Sequence, residues 1–280
     1  MYGRIREEGL LHSHVMEYAS ALNDGIGPRL TGSPNLAKAN AWTRDQLTAM
    51  GCVNAHLEDW GEFGMGWQQL NTWVRMTSPD TAVFNAQAVP WSPSTNDGKG
   101  GPVSGPAVWV NIQEDKDFEQ YKGKLAGKIV FLGEMREVPP PDKPLFTRYT
   151  DKELEELANS AEEGPRDANT PAAQARRKAR MLRYAMAEKI AQFLAEEKPL
   201  AVIRLSRDGA NGGGTGIIFD DNGAWLGRKP YVREGAMKVP VIVAQIESWG
   251  RVYRLLKARV PVTMEVDVET KFTGDHEHGF

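Results

Sequence analysis

Leu11, Val15, Tyr18, Ala19 and Leu22 recur at intervals of three and four residues, so they share one face of a helix predicted from about Glu7 to Asn23. Asp24-Gly25-Ile26-Gly27-Pro28 ends it, because two glycines and a proline cannot continue the backbone pattern. A second helix is predicted after Ser33, whose side chain can cap it, with Pro34 at the first position where a missing N–H costs nothing. Leu36, Ala39, Trp42, Thr43 and Leu47 form its buried stripe, and Gly51 after Met50 supplies a left-handed stop. Val53, Ala55 and Leu57 then alternate with Asn54, His56 and Glu58, the period of a half-buried strand.

From Trp60 onward the period of two dominates. Strands are predicted over Gln69–Met76, Ala82–Val89, Ala107–Asn111 and Lys128–Leu132, separated by turn-rich stretches such as Ser92–Pro102. Thr150-Asp151-Lys152-Glu153 is a capping box that starts a helix over Asp151–Ser160. Glu162–Asn169 reads as a loop. Thr170-Pro171 opens a long helix to Glu197 with Leu182, Met186, Ile190, Phe193 and Leu194 on its buried stripe. Strands follow at Ala201–Leu205, Gly216–Phe219 and Val239–Val243. A helix at Ile246–Lys257 leads to a last alternating strand, Val262–Thr270. The pattern describes an α+β chain: a helical hairpin with one strand, then a β-rich region flanked by helices.

Composition narrows the functions open to such a chain. Its 280 residues suffice for two domains, and 41% hydrophobic with 25% charged residues is the balance of a globular protein. A net charge of −3 offers nucleic acid no electrostatic grip. No apolar run is long enough to span a membrane. Met1–Leu10 carries Arg4, Arg6, Glu7 and Glu8 where a signal peptide needs an apolar core, so the expectation is either a cytoplasmic protein or a targeting segment upstream. Cys52, the single cysteine, has no disulfide partner and is expected to be a buried structural thiol.

Each candidate for chemistry has a blander reading that explains it better. His12 and His14 lie about 200° apart around a helix and cannot chelate one ion together. His276 and His278 would share a face of a strand, but a structured zinc site needs three or four protein ligands, and a solvated linker is expected here. Gly-x-Ser-x-Gly is absent, and a strand would hold Cys52 about 13 Å from His56, too far for a dyad. The glycine run Gly209–Gly216 joins two predicted strands, so it lacks the helix N-terminus that holds phosphate and reads as a surface loop. Arg176, Arg177, Lys178, Arg180 and Arg183 make a basic patch on the long helix, balanced further on by Glu188, Glu196 and Glu197 and with no aromatic platform beside it, which favours a solvated face over a nucleic-acid site.

The segment Ile26-Gly27-Pro28-Arg29-Leu30-Thr31-Gly32-Ser33-Pro34, followed by a helix ending in Leu47-Thr48-Ala49-Met50-Gly51, resembles the opening of metallopeptidase family 28, the di-zinc aminopeptidases and glutamate carboxypeptidase-like proteins. Tyr121–Val130 and Leu200–Gly209 look like strands of the protease-associated domain inserted in longer members, and Val262–Phe272 is similar to the strand that leads back to the peptidase. The resemblance implies a layout in three parts. Residues 1–59 would be the helical hairpin and first strand of an α/β peptidase domain. Residues 60–272 would be the protease-associated domain with flanking helices, and residues 273–280 a linker toward a catalytic domain that lies beyond this chain.

The resemblance further implies a secreted or periplasmic zinc exopeptidase acting on the terminal bond of a peptide substrate, with two zinc ions held by His-x-Asp and later ligands. No residue up to Phe280 matches a ligand position, so this chain alone is expected to be non-catalytic and without a cofactor of its own. Arg29, Thr31 and Ser33, between the two helices, are its only candidates for a place near the cleft; equally, Arg29 could hold a junction and Ser33 merely cap a helix. A receptor-like or peptide-binding protein of the same architecture without metal catalysis is the alternative. A protease-associated domain of a serine protease is disfavoured by the Pro28–Pro34 motif.

Overall fold

The computed structural model describes residues 1–137, 147–159, 170–206 and 229–279. The predicted loop Glu162–Asn169, the glycine run Gly209–Gly216 and the predicted strand Gly216–Phe219 lie outside the described residues. The chain is mixed α and β, and it divides into two compact units. One comprises residues 1–68, 231–234 and 271–280; the other comprises residues 69–230 and 235–270.

In the first unit the opening helix is not continuous. It forms α1 (Tyr2–Leu11) and α2 (Val15–Ser20), then a π-helical turn over Ala21–Ile26. The break falls at Ser13, whose hydroxyl accepts from the Val15 N–H at 3.4 Å and so competes with the helical ladder. Leu11 and Val15, expected on the buried face, are exposed; Tyr18, Ala19 and Leu22 are half-buried. Helix α3 (Pro34–Ala49) has the predicted start and end, with Gly51 in the left-handed region at φ 90°. Its stripe is shallower than expected, since Ala39 is buried but Thr43 and Leu47 are exposed. The predicted strand at Val53–Leu57 does not form. Asn54 takes a left-handed φ of 58°, which breaks an extended run, and Val53 is 92% exposed. Cys52 is exposed in the turn after α3, not buried.

The second unit is organised by a sheet, two of whose strands, β1 and β8, run on into the first unit. Strands β1 (Gly61–Ser78), β2 (Ala82–Phe84), β3 (Ala86–Ala88), β4 (Val103–Val110), β5 (Ile129–Leu132), β6 (Ala201–Leu205), β7 (Val241–Ala244) and β8 (Thr263–Gly279) form one sheet in the order β2-β1-β8-β4-β5-β6-β7-β3. The single strand predicted over Ala82–Val89 is two, interrupted at Asn85 so that β2 pairs β1 while β3 pairs β7. β4, β5, β6 and β7 are mutually parallel, and every residue of Ile129–Leu132 and Val241–Ala244 is buried, as strands covered on both faces require.

Two of the remaining helices, the last two, cover that parallel centre. A short helix α4 (Phe118–Tyr121) precedes β5, and α5 (Asp151–Asn159) starts at the predicted capping box, with the Glu153 N–H donating to Thr150 Oγ1 at 3.3 Å. Helix α6 (Pro171–Glu197) lays Leu194, with Met186, Ile190 and Phe193, on the face formed by Val130, Leu132, Val202, Val241 and Val243. Leu182, predicted on the same stripe, is exposed. Helix α7 (Ile246–Lys257) inserts the fully buried Trp249 beside Phe131, whose side chain alternates to the other face, and the indole N–H donates to the Ile203 carbonyl at 3.1 Å. Among the described residues no helix is long and apolar enough to cross a membrane.

Candidate functional site

The segment that carries the family-like motif is built around two backbone devices. Arg29 donates from Nη1 to the carbonyls of Leu22 and of Gly27 (2.8 Å for the latter) and from Nη2 to Asn23 Oδ1 at 3.1 Å. It thereby ties Gly27 to the end of the π-helical turn, where the Leu22 carbonyl also accepts the Gly27 N–H at 3.1 Å. Ser33, itself buried, accepts from the Leu36 N–H at 3.2 Å and caps α3, while its own N–H donates to the Leu30 carbonyl at 2.9 Å.

Between them Gly32 sits at φ 75°, and a Cβ there would stand 3.3 Å from Glu277 Cβ, Gly66 Cα and Phe63 Cδ1. The approach is closer at Gly66: a Cβ on it would collide with the Gly32 carbonyl oxygen and Thr273 Oγ1, and would reach 2.7 Å from Glu277 Cγ. The Thr31-Gly32-Ser33 turn therefore rests directly on the part of β1 and β8 that belongs to the first unit.

Where the turn meets β8 it encloses a recess of about 240 Å³ lined by Gly32, Ser33, Leu36, Ala37, Asn40, His276, Glu277 and His278. Of the three residues expected from the sequence, Ser33 lines this recess; Arg29 and Thr31 do not. Leu36, Ala37 and Asn40 were legible in principle, because they lie three, four and seven residues after Ser33 on one helix face. Glu277 and its flanking histidines were not, because residues 273–279 read as linker from composition, whereas they are the last turns of the pleat in β8.

The imidazoles and carboxylates here pair with one another. His276 Nδ1 lies 2.5 Å from Glu62 Oε1, and His278 Nδ1 lies 2.7 Å from Asp59 Oδ2. The Asp59 carboxyl is held below its ordinary value, first by the Gly61 N–H that donates to it at 2.7 Å and then by His278. His56 is shifted upward, mainly by the Asn54 carbonyl at 2.7 Å and next by Glu58. Among the described residues no group of three or more His, Cys, Asp or Glu is placed to hold a metal ion. The imidazoles and carboxylates of this recess do not fit a zinc centre, which needs three or four such donors converging on one point.

Neither a protein-family model nor a curated protein matches the sequence. In structure, the chain is similar to the peptidase M28 precursor from Shewanella amazonensis SB2B, with a TM-score of 0.56 and 15% identity over 99% of this chain and 51% of that one. Alignments to the aminopeptidase from Aneurinibacillus sp. strain AM-1 (TM-score 0.43, 16% identity, 94% of this chain and 46% of that one) and to the zinc aminopeptidase of Bacillus subtilis (0.40, 12%, 95% and 45%) are too distant to add to this. The fold is thus similar to that of about half of this precursor, and the chain spans about half the length of the solved structures it matches.

Proposed function

We propose that this chain is the N-terminal and protease-associated portion of a zinc-dependent exopeptidase of metallopeptidase family 28, and is itself non-catalytic. The observation that carries this reading is the likeness of 99% of the chain to about half of a peptidase M28 precursor. The motif from Ile26 to Pro34 supports it, since the turn it forms needs Gly32 at φ 75° and packs against Gly66, where a side chain has no room. Residues 1–59 belong to the peptidase domain and the region from 60 to 272 is the inserted domain, which covers the cleft and limits which peptides enter.

In this reading the two zinc ions are held by residues of the rest of the peptidase. Two such ions would polarise the terminal carbonyl and activate a water. This chain's own part is to position: Ser33 fixes the start of α3, Arg29 closes the turn before it, and Thr31 and Ser33 border the cleft from that loop. Secretion or export to the periplasm belongs to the same proposal. Reading the gene past Phe280 tests it. A strand followed by His-x-Asp, with Glu, Asp and His ligands downstream, is expected. A frame that continues without them would favour the receptor-like or peptide-binding alternative, and one that stops would overturn the assignment.

A further inference from the structure

Met237, Lys238 and Val239 lead into β7 without belonging to any helix or strand. Met237 and Val239 are buried, yet among the described residues the N–H groups of all three donate to no other group of the chain. Backbone donors beside buried side chains need acceptors, and a run of unpaired N–H groups is a place for an anion. Two cavities of the second unit meet at this segment and share Ala195, Met237, Lys238 and Val239. The first, about 360 Å³, is largely apolar, with Ala191 and Leu194 of α6 and Val241 of β7 in its wall. The second, about 530 Å³, extends to Lys198 and Leu200 before β6 and to Asp97 in the loop before β4. Lys198 and Lys238 are exposed, and among the described residues neither ammonium has a partner. Two free cations against Asp97 leave this stretch cationic.

We propose that the two cavities form one binding site for a small carboxylate with an apolar body. The apolar body fills the first cavity, whose volume is that of a small-ligand pocket. The carboxylate lies where the cavities meet. There it accepts from the N–H groups of the segment from Met237 to Val239 and pairs with the Lys238 and Lys198 ammonium groups. An amine of the same shape would bring its charge to two like charges and to donors it cannot accept from, so the sign of the head group decides what binds. The site is separate from the recess beside Ser33, and the proposal does not depend on the chain being part of an exopeptidase.

The experiment uses the full chain with octanoate, octylamine, octanamide and butanoate as probes, read by isothermal titration and by amide NMR shifts. Octanoate is expected to saturate one site and to bind at least tenfold more tightly than each of the other three. Butanoate carries the same head group but leaves the first cavity unfilled. The amides of Met237, Lys238 and Val239 should shift most on addition of octanoate. Lys198→Gln with Lys238→Gln changes two exposed side chains, and thermal unfolding confirms that the core is intact. That variant should bind octanoate at least tenfold more weakly and octanamide as before. Octanoate that does not saturate, or that binds no better than octylamine or butanoate, overturns the proposal. So do amide shifts that are largest elsewhere in the chain, or an octanoate affinity that the double variant leaves unchanged.

Discussion

His278 donates from Nδ1 to Asp59 Oδ2 at 2.7 Å, tying the end of β8 to the residues just before β1, where the Trp60 N–H also donates to the Gly279 carbonyl at 3.0 Å. The same carboxylate accepts the Gly61 N–H, and together these hold it ionised below its ordinary value of 3.8. A depressed folded-state pKa contributes stability that is present above the unfolded value and lost as pH falls through the folded one. Asp59 should therefore titrate below 3.8 by NMR, and the amides of Gly61 and His278 should shift in the same step. Because the pair is exposed, salt should reduce its coupling; an Asp59 that titrates at its ordinary value would show that the contact is absent in solution.

Gly66 has no room for a side chain. Gly66→Ala should lower stability by about 1–3 kcal/mol, because the added methyl meets the Gly32 backbone and two side chains that cannot all retreat. Gly3→Ala, which meets nothing within 4 Å, is the matched control and should be close to neutral. Chemical denaturation of the two variants checks this, and equal stabilities would mean that the turn does not rest on β1 as described.

Ser33 is held by a role that substitution can isolate. Ser33→Ala should cost about 1 kcal/mol by removing the cap of α3, and Ser33→Asp should restore most of it. Thermal unfolding reads both. A Ser33→Asp variant no better than Ser33→Ala would assign the loss to packing in the recess instead of to the cap.

The local signals that survived into the structure are those written in a few adjacent residues. Ser33-Pro34 starts α3, Thr150 to Glu153 starts α5 and Thr170-Pro171 starts α6, because capping is settled within one helical turn. Periodicity failed where a single backbone choice intervened. The alternation of Val53, Ala55 and Leu57 is real, but one left-handed residue, Asn54, cancels the strand. The recess was half legible: Ser33 was found through its motif, whereas His276, Glu277 and His278 depend on β8 running on to Gly279, which pairing and not composition decides.

The two histidines of β8 make a direct test of the metal account. The chain should bind zinc no more tightly than a His276→Ala/His278→Ala variant in isothermal titration. A submicromolar site corresponds to more than about 8 kcal/mol, which two exposed imidazoles already facing Glu62 and Asp59 should not supply. Such a site, lost in the double variant, would mean that the pair does ligate.

The central claim is that this chain supplies architecture and not chemistry to a zinc exopeptidase. Its most direct test is hydrolysis of a panel of aminoacyl and glutamyl substrates, with excess zinc and with chelator, by the chain alone and by the polypeptide extended through the reading frame past Phe280. The account predicts no turnover by the 280-residue chain and chelator-sensitive turnover by the extended protein. Turnover by the chain alone that survives repurification and disappears with chelator would contradict it, and so would an extended protein that holds zinc but cleaves nothing.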